Sequence, residues 1–151
     1  MRDASNTSFV DLIARQCIAA RLRRVNRAVT KVYDKALRPL GLKVSQLNIL
    51  ICTAKLGLAR RAQVCGYLML ESSTLSRNVE RMRRRGWLEI MPGEDARSAP
   101  FRLTAQGERL LARVLPLWEK AQQEAIELLG ADAIQGIELA EKRLRTPRKR
   151  T

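Results

Sequence analysis

Between Ser8 and Leu40 the apolar positions Ile18, Leu22, Val25, Val29, Val32 and Ala36 recur at alternating intervals of four and three. That spacing predicts one long helix with a narrow apolar seam, ended by Pro39 and Gly41. Ser45 is placed to cap a second helix to about Leu56, with Leu47, Leu50, Ile51 and Ala54 turned inward and Gly57 closing it. A short helix follows from about Arg61 to Leu68. From Glu71 or Ser72 a further helix sets Leu75, Val79 and Met82 on one face, and Gly86 closes it. Beyond Gly86 the period changes. WLEIM and PFRLT are short strand-like runs separated by PGEDARSA, which reads as a hairpin with a long exposed tip. Thr104 then caps a long amphipathic helix carrying Leu111, Val114 or Leu115, Trp118, Ala121, Ala125 and Leu128, ending at Gly130. Pro116 lies inside it and should bend it. A last helix from about Asp132 packs Ile134, Ile137, Ala140 and Leu144 and frays into RTPRKRT.

A short helix, a turn, a second helix and a two-stranded hairpin make a winged helix-turn-helix, whose second helix reads the major groove. The predicted class is mainly α with a small β-hairpin wing, the winged module at 41–103 lying between long dimerisation helices at 1–40 and 104–146. Residues 147–151 form a basic tail, expected to be disordered.

Charge sharpens this picture. The 151 residues carry 29 Lys and Arg against 15 Asp and Glu, a net +14, and the excess is uneven. Residues 15–43 hold nine basic side chains against Asp34 alone, and residues 60–85 hold seven against two, whereas 104–130 hold three against four. A polyanion suits the basic stretches and a protein partner the neutral one. Histidine is absent, and three cysteines are too few and too scattered for a zinc site or disulfide framework, so no metal, cofactor or catalytic role is expected. No apolar run approaches a membrane span and no secretory leader is apparent, which points to a cytoplasmic protein.

The polar faces of the helix after Glu71 carry Ser72, Ser73, Thr74, Ser76, Arg77, Asn78 and Arg81, donors and acceptors of the kind that bind phosphates and base edges of double-stranded DNA. Arg83, Arg84 and Arg85 occupy the last turn, where the helix dipole favours cations whatever the function, and are left out of the candidate set. Arg60 and Arg61 stand at a helix start, where the dipole disfavours them; a nearby phosphate would reverse that sign, and both are candidate phosphate contacts.

The segments YDKALRPLGLKVSQLNIL, ESSTLSRNVERMRRRGWLEI and GEDARSAPFRLTAQGERLL resemble those of the MarR (multiple antibiotic resistance regulator) family of bacterial transcriptional regulators. The most specific part is Asp95-x-Arg97 followed by a strand and Leu103-Thr104-x-x-Gly107. The resemblance implies a homodimer on a pseudo-palindromic operator, with Arg97 entering the minor groove and Asp95 holding its loop. It also implies repression, the family's commoner habit, relieved by a small aromatic effector, for which Trp118 and Tyr33 are candidate lining residues. Two positions depart from the pattern: Met69 replaces a frequent turn glycine, and Arg60 a frequent hydroxyl residue. A peroxide-sensing subgroup uses a cysteine near the first helix. Cys17 is two positions out of that register, and the subgroup's tyrosines are here Val44 and Leu47, so Cys17, Cys52 and Cys65 read as structural thiols. Redox sensing and low-specificity architectural DNA binding are the alternative functions.

Overall fold

The computed structural model describes residues 4–93 and 99–145, with seven α-helices and one two-stranded sheet among them. Helices α1 (Ala4–Gln16) and α2 (Ile18–Leu37) replace the single long helix expected from the seam. Cys17 interrupts it with extended backbone, φ −63° and ψ 109°. The apolar residues Phe9, Leu12 and Ile13 are out of step with Ile18, Leu22 and Val25, and one continuous helix would set the two groups on roughly opposite faces. The break removes that constraint. A 3-10 turn, Arg38–Leu40, then leads into α3 (Val44–Leu56).

Helix α3 starts two residues earlier than its serine suggests. Lys43 is the N-cap residue. The free amides are taken by other side chains: Asp34 Oδ1 accepts the Val44 N–H at 2.8 Å and Gln46 Oε1 accepts the Lys43 N–H at 3.1 Å. Leu47 and Leu50 face inward as expected, but Ile51 and Ala54 are exposed, and Ile49, Cys52 and Thr53 are buried in their place. Helix α3 is packed by α2, α4, α6 and the wing strand β2 (Phe101–Leu103), so its buried surface is wider than a single stripe.

Helices α4 (Arg61–Leu68) and α5 (Ser72–Arg84) form the helix pair. Met69 joins them in left-handed backbone, φ 52° and ψ 43°, where its side chain is exposed. The turn geometry therefore survives without glycine, at a conformational cost of about 1–2 kcal/mol for an L-residue. Gly86 closes α5 at φ +72°, as its position predicts. Strands β1 (Leu88–Ile90) and β2 pair antiparallel, with Leu88 opposite Leu103 and Ile90 opposite Phe101, and Ala59 bonds the far edge of Phe101. Phe101, Leu37, Leu42, Ile49, Leu50, Val64, Leu75, Val79, Met82 and Leu88 are fully buried and form one core beneath the helix pair and wing.

Thr104 caps α6 (Ala105–Leu129), its hydroxyl oxygen accepting the Gly107 N–H at 3.0 Å, and the helix runs on through Pro116. Helix α7 (Ala131–Arg145) buries no residue. Ile137 and Leu144, expected to pack, are 47% and 71% exposed, and Ala140 is exposed too. Ile18, Leu22, Leu115 and Leu128 are likewise open, so although α6 buries Val114, Ala121 and Ala125, part of the apolar surface of the terminal helices finds no cover among the described residues. The basic tail at 147–151 lies outside the described residues.

Candidate nucleic-acid interface

Burial of Leu75, Val79 and Met82 fixes how α5 is rotated. At 3.6 residues per turn the opposite side of the helix carries Ser73, Arg77, Glu80, Arg81 and Arg84, with Thr74 at its margin. Ser73, Arg77 and Arg81 are exposed, and Arg77 Nε donates to the Ser73 carbonyl at 3.2 Å, which lays its guanidinium along this face. Ser72 is exposed near the helix start. Ser76 and Asn78 sit on the flanks instead. Asn78 Nδ2 donates to the Thr74 carbonyl at 3.0 Å, and Ser76 Oγ accepts from Arg61 Nη1 at 3.2 Å. The structure thus gathers part of the predicted residue set on one outward face and turns Ser76 toward α4.

The two arginines at the start of α4 differ. Arg60 is exposed, its backbone N–H held by Gln63 Oε1 at 3.0 Å. Arg61 is half-buried against α5, and its Nε is buried without a hydrogen-bond partner. Such an atom loses solvation with no compensating bond. Asp95 and Arg97, the wing residues, lie outside the described residues.

The arginines after Arg81 are occupied by other contacts. Glu80 accepts from Arg83 at 2.9 and 3.0 Å and from Arg84 at 2.9 Å, and these hydrogen bonds hold its carboxyl down at about 2. Arg85 donates from Nη1 to the Gly41 carbonyl and stacks 4.7 Å from the centre of the Trp87 ring. The i, i+3 and i, i+4 spacing of Glu80 from Arg83 and Arg84 was a signal in the sequence that could have found the first contact. The second joins positions 44 apart, and nothing local announces it.

Two adjoining clefts of about 440 and 350 Å³ open between α2, α3 and α6, sharing Asn48 and Trp118. Tyr33 lines the larger, where its hydroxyl donates to Gln122 Oε1, so both aromatic residues named from the sequence do border one cavity. Among the described residues there is no cluster of acids and cysteines able to hold a metal ion, and no helix is long and apolar enough to cross a membrane.

Residues 43–107 match the model of a winged-helix DNA-binding domain. Among curated proteins, the chain is 28% identical over 100 residues to the HTH-type transcriptional regulator YwoH of Bacillus subtilis, covering 66% of this chain and 73% of that one. Among solved structures, the M. tuberculosis transcriptional regulator MOSR in complex with DNA is 32% identical, with a TM-score of 0.69, and the match covers 87% of this chain and all of that one. A cysteine-to-serine mutant of MarR from E. coli, complexed with operator DNA, superposes with a TM-score of 0.76 at 20% identity, over 89% of this chain and 98% of that one. The buried face of α5, the two-stranded wing and the cap at Thr104 all fall within this shared fold, and the chain belongs to the MarR family of winged-helix, DNA-binding transcriptional regulators.

Proposed function

We propose that the protein is a homodimeric repressor that binds a pseudo-palindromic operator and is released from it by a small aromatic effector. The reading rests on one observation above the others. Ser73, Arg77 and Arg81 share the outward face of α5, and the neighbouring acid, Glu80, is taken up by Arg83 and Arg84. Arg77 and Arg81 therefore read base edges, with Ser72, Ser73 and Thr74 bonding bases or phosphates. Asn78, on the flank, reaches its own edge of the groove, and Ser76 acts through Arg61. Arg60 and Arg61 contact phosphates, and Arg97, with Asp95 holding its loop, enters the minor groove. The open apolar faces of α1, α2, α6 and α7 form the dimer seam, which would place two reading helices about one turn of DNA apart, roughly 34 Å. The clefts beside Trp118 and Tyr33 receive the effector.

The test is a salt series of affinities for operator and random duplex with Arg77→Ala, Arg81→Ala and Arg97→Ala. A base-reading arginine should cost about 1–3 kcal/mol on operator and relax choice at particular base pairs. Arg97→Ala should weaken both duplexes more evenly. Wild-type binding by all three variants would refute the assigned surface, and a stable monomer at micromolar concentration would refute the dimer.

A further inference from the structure

Helix α2 carries a second basic surface unrelated to the reading face. Arg24, Arg27, Lys31, Lys35 and Arg38 follow one another at steps of three and four residues, which aligns them along one side of the helix. Arg38 keeps helical backbone, φ −53° and ψ −39°, so the row runs unbroken for about 21 Å at 1.5 Å per residue. All five side chains are exposed. Lys31 and Lys35 stay so while Ala28, Val29, Val32, Tyr33 and Ala36 around them are half-buried. None joins the ion pairs found among the described residues, and Asp34, the one acid in residues 15–43, points its carboxylate to the α3 amide of Val44. Like charges at these spacings weaken a helix, a penalty that a bound polyanion turns into an attraction.

The position of the row excludes the obvious internal explanations. Helix α2 packs against α6 and α3, whereas α5 packs against α4 and β1, so the body of the row and the reading face sit on different neighbours, although the row's Arg38 end comes near the close of α5, where Arg85 donates to the Gly41 carbonyl. Ile18, Leu22, Val25 and Val29 lie roughly opposite the cations on the helix. If that apolar side meets a second copy, which rests on the dimer reading above, the row faces solvent in the dimer. The exposed apolar side chains of α2, Ile18, Leu22 and Val25, lie on the other face, so none stands beside the row to enter a bilayer.

We infer that this row binds the sugar–phosphate backbone of a second DNA duplex while α5 holds the operator, so that one dimer bridges two DNA segments. A duplex carries one phosphate charge per about 1.7 Å of helix axis, so a row of five cations about 21 Å long laid against it meets phosphates of both strands. Asn26 and Thr30, the nearby side chains able to read bases, lie off the row, which makes the contact sequence-independent.

The experiment loads wild-type protein on an immobilised minimal operator duplex, washes it, and measures capture of a labelled duplex lacking the operator. The quadruple variant Arg24→Gln, Arg27→Gln, Lys31→Gln and Lys35→Gln should keep wild-type affinity for the minimal operator within about twofold and lose capture by about tenfold or more. A photo-crosslinking residue at position 31 of otherwise native protein should join the labelled duplex, a readout independent of the quadruple variant's folding. Undiminished capture by a folded variant, or no crosslink to the second duplex, overturns the inference. A parallel fall in operator affinity also overturns it, by assigning the row to the flanks of the first duplex. Failure of the reading-helix assignment looks different: Arg77→Ala with Arg81→Ala would then bind operator normally, whatever the capture result.

Discussion

Gly107→Ala sets two local effects against each other. Alanine in the first turn of α6 gains about 1 kcal/mol of helix propensity over glycine. But a Cβ at Gly107 would lie 2.2 Å from the Trp87 carbonyl oxygen and 3.1 Å from Leu103 Cδ2. Ordinary contact begins at 3.4 Å, so α6 and the residues entering β1 would have to part by about 1.2 Å. The Leu103 methyl can rotate away; the carbonyl belongs to the backbone and accepts the Thr104 N–H at 3.1 Å. The Thr104 hydroxyl, which donates to the Gly86 carbonyl and caps α6, is drawn into the same shift. Overpacking of this kind costs about 1–3 kcal/mol, and loss of the cap adds about 1, so a net destabilisation of about 1–3 kcal/mol remains after the propensity gain. Urea denaturation at fixed protein concentration, which holds any dimer contribution constant, would measure it. Stability equal to or above wild type would refute the reasoning, because propensity would then have outweighed the contact.

Met69→Gly should raise stability by about 0.5–1 kcal/mol in the same assay, since the left-handed strain is relieved and an exposed side chain loses little burial, while the freer unfolded chain gives part of the gain back; a loss would mean that Met69 packs in a way its exposure does not suggest. Glu80→Gln should release Arg83 and Arg84, tighten binding to random duplex and steepen its salt dependence by about one unit per new phosphate contact. An unchanged slope would show that neither guanidinium reaches DNA. Cys52 is buried, and that burial pushes its thiol up, with Lys55 pulling partly back, so at pH 8 it should react with a disulfide reagent more slowly than half-buried Cys17 and Cys65, as followed by mass spectrometry. Equal labelling rates would contradict this.

The readings that succeeded used signals carried within a few residues. Leu75, Val79 and Met82 announce the buried side of α5, Gly86 its end, and Thr104 the start of α6, because spacing, left-handed backbone and side-chain capping are all local properties. Where the readings failed, the cause lies in tertiary contact. The seam from Ile18 to Ala36 is real, but it does not extend through Cys17 to Phe9, whose neighbours follow a different phase. Ser45 is a good cap by type, yet Asp34, ten residues before Val44, satisfies that amide and lets α3 begin earlier. Ser76 belongs to the polar side of α5, but Arg61, fifteen residues away, turns it into a contact between helices.

The terminal helices mark the limit of periodicity as an argument. The pattern that predicted α7 gave a helix where one is found, but Ile137, Ala140 and Leu144, expected to pack, remain open to solvent. Periodicity says which side of a helix must be covered and is silent on what covers it. In the winged module the cover comes from the same chain, since Phe101, Leu50 and Val79 fill one core. In α1, α2, α6 and α7 the exposed Phe9, Leu22, Trp118 and Leu144 carry the same requirement with no cover among the described residues. Large apolar side chains left this open are costly in water, and this makes the terminal helices, and not the winged-helix module, the part whose stability should depend on protein concentration.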